Sequence, residues 1–170
     1  MKKIITLLAV IGMFGFQGCE GPEGPPGFPG EDGLLAEVFE LKNVSFAYNA
    51  TDGYTIYQKL TPNILASDQI LIYRLAGTID SSTPVWQLIP RTLFVSQGEL
   101  DYDFDFSKED FTIYAGGTYN LSLTPQFINN QTFRIVILPG YFSTLIDKNN
   151  YNAVVKTLKI DENQIQKIDF

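Results

Sequence analysis

The run Asp101-Tyr102-Asp103-Phe104-Asp105-Phe106 sets three carboxylates two residues apart. Side chains alternate across a strand, so the acids would share one face and the rings the other. Clustered carboxylate oxygens suit a hard cation such as calcium, which makes Asp101, Asp103 and Asp105 a candidate metal site. Counted from Asp101, the spacing departs from an EF-hand loop. Position six is Phe106 where glycine is needed, and position twelve is Thr112 where glutamate is needed. A half-buried strand with a solvated acidic face accounts for the run without a ligand, and such a face also discourages edge pairing. That reading is preferred, and no cofactor is expected.

The 170 residues include no histidine. Ser-His-Asp and Cys-His catalysis, the usual zinc sites and the commonest general base at neutral pH are thereby removed. Carboxylate pairs of the glycosidase kind remain open among 19 acidic residues. No pair is singled out, and an enzyme is not expected. Nine tyrosines, 13 phenylalanines and Trp86 could stack on pyranose faces. Most of them fall at alternating strand positions, where core packing explains them without a sugar.

The only thiol, Cys19, sits in a different context. Lys2 and Lys3 precede a 13-residue apolar or small-residue run, Ile4 to Phe16, and Gly18 offers the small residue of a cleavage point. A membrane-spanning helix needs ~20 residues, so the run reads as an export signal. Phe16-Gln17-Gly18-Cys19 resembles the lipobox of bacterial lipoproteins. The resemblance implies cleavage between Gly18 and Cys19 and two or three acyl chains on Cys19, and stable anchoring takes at least two. With Cys19 carrying lipid, the remaining chain has no disulfide.

Gly18, Gly21, Gly24, Gly27, Gly30 and Gly33 then recur at intervals of three, with Pro22, Pro25, Pro26 and Pro29 between them. This is the collagen pattern, in which only glycine fits the crowded axis of three polyproline-II chains. A homotrimeric stalk satisfies it, aided by the high local concentration of lipid-tethered chains. So does a single-chain spacer extending ~3.1 Å per residue. Glu20, Glu23, Glu31 and Asp32 would bring like charges together in a trimer. With so few triplets to offset the ordering entropy, the spacer is preferred.

Three segments are therefore expected: a signal peptide over 1–18, a Gly-X-Y spacer over 19–33, and one β-rich domain over 34–170. The last is long enough for a real core. Strands are predicted from Val38 through Tyr48, over Gly53–Leu60, Gln69–Leu75, Val85–Ile89, Arg91–Val95, Leu100–Phe106, Phe111–Tyr114 and Phe133–Leu138. Pro90 makes the fourth join a bend or a sheet edge. Tyr151, Val154, Val155 and Leu158 fall on one helical face, with Asp147, Asn149 and Asn150 as cap candidates. A last strand is expected over Ile165–Phe170. The fold class predicted is all-β, a sandwich or barrel that is mostly antiparallel, with one short C-terminal helix.

The layout resembles a group of collagen-like lipoproteins of Bacteroidota. The matching residues are Val85-Trp86 with Leu88-Ile89-Pro90, the run Leu100 to Phe106, Asn130 to Gly140, and the helix Tyr151 to Ile160. The resemblance implies fold class and location at the cell envelope, most naturally the outer membrane, and no activity. Removal of Met1 to Gly18 leaves 10 basic against 19 acidic residues, a net charge of −9. Such a domain repels nucleic acid and anionic lipid, so the membrane is engaged through lipid alone. A non-enzymatic structural or interaction module on a short stalk is expected. The alternative is a glycan- or cation-binding accessory protein for nutrient capture.

Overall fold

The computed structural model describes residues 36–80, 82–142 and 146–170. The export signal, Gly18, Cys19 and the glycines Gly21, Gly24, Gly27, Gly30 and Gly33 lie outside the described residues. Ten strands follow in chain order: β1 (Glu37–Val44), β2 (Ala47–Asn49), β3 (Gly53–Lys59), β4 (Gln69–Asp80) and β5 (Thr83–Ile89). Then come β6 (Arg91–Val95), β7 (Gly98–Phe106), β8 (Asp110–Gly117), β9 (Gln131–Leu138) and, after helix α1 (Tyr151–Leu158), β10 (Gln166–Asp169).

They form two five-stranded sheets, β10-β1-β9-β4-β5 and β2-β3-β8-β7-β6. Every pairing is antiparallel except that of β10 with β1. Alternation builds the layer between the sheets. Phe39, Leu41, Ile70, Ile72, Phe133, Ile135 and Ile137 of the first sheet meet Ile56, Leu100, Tyr102, Phe111 and Ile113 of the second. The expected all-β sandwich with a short C-terminal helix is the fold.

β9 lacks the one-in, one-out pattern and is buried at every residue but Thr132. Its alternate residues Val136 and Leu138, with Leu71 and Tyr73 of β4, face a third layer made by Tyr151, Val154 and Leu158 of α1. The helix begins where Asn150 accepts a hydrogen bond from the Ala153 amide at 3.2 Å, and ends on Lys159 in a left-handed conformation. Asn150 is thus the cap among the three candidates.

Several strands run longer than predicted, β4 most of all. β4 continues past Leu75 to Asp80, because a register shift between Leu75 and Gly77 absorbs the glycine without ending the pairing with β5. The turn beyond it is held by Asp80, whose carboxylate accepts from the Ser82 amide, the Ser82 hydroxyl and the Thr83 hydroxyl at 2.8–2.9 Å. Pro90 lies at the corner where the chain leaves the edge of one sheet for the edge of the other, so the bend and the edge occur together.

Candidate functional site

Asp101, Asp103 and Asp105 do share the outer face of the second sheet, as their spacing requires. Their carboxylates have separate uses. Asp101 accepts from the Thr92 hydroxyl at 2.6 Å, Asp103 from the Phe104 amide at 2.8 Å, and Asp105 from the Tyr114 hydroxyl at 2.9 Å. Same-face neighbours on a strand stand ~6.8 Å apart, too far for one ion to reach all three. Among the described residues no three acidic or thiol side chains are grouped so as to hold a metal.

Most of the described rings pack into the apolar layers, as expected, and this face carries two exceptions. Tyr57 is 60% exposed, held at its tip by Asp110 at 3.2 Å, and Phe94 on β6 is 80% exposed. Hydrogen bonding to Asp105 raises the Tyr114 pKa, while slight burial, followed by the Asp110 hydrogen bond, raises that of Tyr57.

Polar groups converge instead on the outer face of the first sheet. Arg134, in the middle of β9, is buried there and donates through Nε to Glu40 of β1 at 3.0 Å. Its other nitrogens reach Glu40, the Tyr151 hydroxyl and Glu162. Burial works against the charged guanidinium, but the hydrogen bonds and charges of Glu40, Tyr151 and Glu162 raise its pKa overall. Arg134 also lies over the Trp86 ring at 4.1 Å and the Tyr151 ring at 4.9 Å. Tyr73 meets Tyr151 edge-on at 5.1 Å and donates to the Lys148 carbonyl at 2.7 Å. Arg74, the next residue of β4, points the opposite way. It is buried over Tyr102 at 4.8 Å and donates to Gln131 at 2.9 Å, and burial lowers its pKa.

Beside this cluster, along the open edge of β5, runs a cleft of about 520 Å³. One wall is the β4–β5 hairpin, with Ile79, Thr83, Pro84 and Val85. The other is the start of α1, with Asn149, Asn150 and Asn152. Trp86 and Tyr151 complete the lining. A second cleft of about 360 Å³ shares Trp86 and Asn149 with the first and continues along β5 to Arg91. The clefts at the other side of the molecule are about 240 and 270 Å³ and are lined by charged residues, including Glu37 and Lys59 in one and Lys159 and Asp161 in the other.

Sequence reasoning passed over this cleft. Trp86 stood out as the single tryptophan, but Asn149 and Asn150 read only as helix caps and Asn152 was not singled out. No local signal shows that β5 passes beneath the start of α1. No known protein family, curated protein or solved structure matches this chain.

Proposed function

We propose that the protein is an exported lipoprotein, anchored at the cell envelope by lipid on Cys19, whose β-sandwich serves as an interaction module and not as an enzyme. The observation that carries this reading is Gly18-Cys19 placed directly behind the Lys2-Lys3 and Ile4–Phe16 segments. The Gly-X-Y glycines end at Gly33 and the first strand begins at Glu37, so repeat and sandwich do not overlap, which supports reading the tract as a spacer. Against catalysis stands the lack of histidine. The carboxylates that do approach each other, Glu40 and Glu162, both accept from Arg134, and Glu40 is buried beneath the helix layer.

The mass of the protein purified from membranes tests the anchor. The expected chain starts at Cys19 and carries diacylglycerol, and a Cys19→Ala variant leaves the membrane fraction. A native chain that keeps residues 1–18 and a free thiol would overturn the proposal. The second reading, a glycan-binding accessory protein, draws support from the Trp86 cleft; its calcium counterpart draws none from Asp101, Asp103 and Asp105.

A further inference from the structure

We infer that the cleft along β5 is a binding site for a neutral oligosaccharide, a reading that rests on the interaction-module role and names its ligand class. Four observations converge on it. The 520 Å³ of the larger cleft falls within the ~300–1,000 Å³ typical of small-molecule sites. None of its lining side chains is charged. The arginine that lies against Trp86 is already paired with Glu40 and Glu162. An ionic ligand would therefore find no counter-charge, and a neutral one meets no penalty.

The lining chemistry is that of a ring with hydroxyls. Trp86, half-buried, supplies flat apolar surface for the C–H face of a pyranose, while Tyr151 is buried beside it and Arg134 against both rings holds their planes in place. Asn149 and Asn152 make no side-chain hydrogen bonds among the described residues, so each amide keeps both donor and acceptor for a hydroxyl. Their segment is nonetheless fixed. The Lys148 carbonyl accepts from Tyr73, the Lys148 ammonium donates to Gln69 at 2.7 Å, and Asn150 caps the helix. Little ordering is left for the ligand to impose.

The last observation is an unmet donor. Trp86 Nε1 is the one buried side-chain polar atom without a hydrogen-bond partner among the described residues. An indole N–H only donates, and this one has almost no exposed surface, so a sugar oxygen reaches it only when the side chains that cover it shift. An extended peptide added to the open edge of β5 fits less well. Pro84 has no N–H to offer that edge.

Trp86 is the only tryptophan of the chain, so intrinsic emission reports on this cleft alone. The full-length protein, in a detergent without a sugar headgroup, would be titrated separately with maltohexaose, cellohexaose and chitohexaose. At least one is expected to shift the emission saturably, shield Trp86 from acrylamide and raise the Tm. An Asn149→Ala/Asn152→Ala variant should keep the unliganded Tm and bind about tenfold more weakly. The inference is overturned if none of the three changes emission or Tm by about 10 mM, or if the double variant binds undiminished. The mass of the same preparation separates the two proposals. Lipid on Cys19 without a sugar response sinks the cleft and leaves the anchor, while a sugar response on an unlipidated chain does the reverse.

Discussion

The two sheets present outer faces of opposite kinds, although both are built from alternating strands. The second sheet leaves Tyr57, Phe94, Asp103 and Asp105 to water, with hydrogen bonds between neighbours on the same face. The first covers Val136, Leu138, Leu71 and Tyr73 with α1, and buries an arginine and a glutamate among them. A bare face asks only for solubility and is tolerant of change. A covered face must satisfy every polar group it encloses, and the demand falls on a few side chains from distant parts of the chain.

The largest test of that contrast is Arg134→Met. Glu40 would remain buried without its partner, at a cost of about 3–5 kcal/mol in urea unfolding. Adding Glu40→Leu should restore most of the loss, because an apolar pair of similar volume removes the stranded charge. A double variant as unstable as the single one would mean that the cluster is held by its link to Glu162 and not by the pair.

Alkali offers an intermediate test. Burial raises the phenol pKa of Tyr73 and Tyr151 on the covered face, and pushes that of Tyr102 between the sheets up to about 12 against the opposing pull of Arg74. The unfolded chain releases these protons near pH ~10 and the fold retains them. Their contribution is therefore complete below about pH 10 and is lost as the pH climbs toward 12. Absorbance of phenolate at alkaline pH should show these tyrosines titrating late, together with unfolding. A Tyr102→Phe variant should lose stability less steeply over that window.

The smallest effects belong to the bare face. Tyr57→Phe and Asp103→Asn should each move stability by no more than about 0.5 kcal/mol in the same denaturation experiment. A loss of 2 kcal/mol or more at either would show that this face carries a structural load of its own.

The strands were legible because Val, Ile and aromatic residues alternate between turn clusters, and the helix because Tyr151, Val154 and Leu158 keep its period. Arg134 was also visible, as a charge inside Phe133–Leu138. Its partners were not, since Glu40 lies 94 residues away and Glu162 lies 28 away in the opposite direction. Pairing of that kind depends on strand order, and β1-β9-β4 is not a sequential order. The cleft was hidden for the same reason. Residues 83–86 and 149–152 become neighbours only when β5 takes the edge beside β4 and α1 crosses the sheet. The acids of the run share a face without grouping, because identical facing along one strand is not convergence.

β1 is the strand that the preceding tract feeds directly, and it is not at an edge. It is clamped between antiparallel β9 and parallel β10. Under the proposed lipid anchor, a pull applied to the start of β1 would load both ladders together instead of peeling one apart bond by bond. The sandwich would then resist drag as a rivet in shear does, with its last strand, β10, as one of the two plates that hold it.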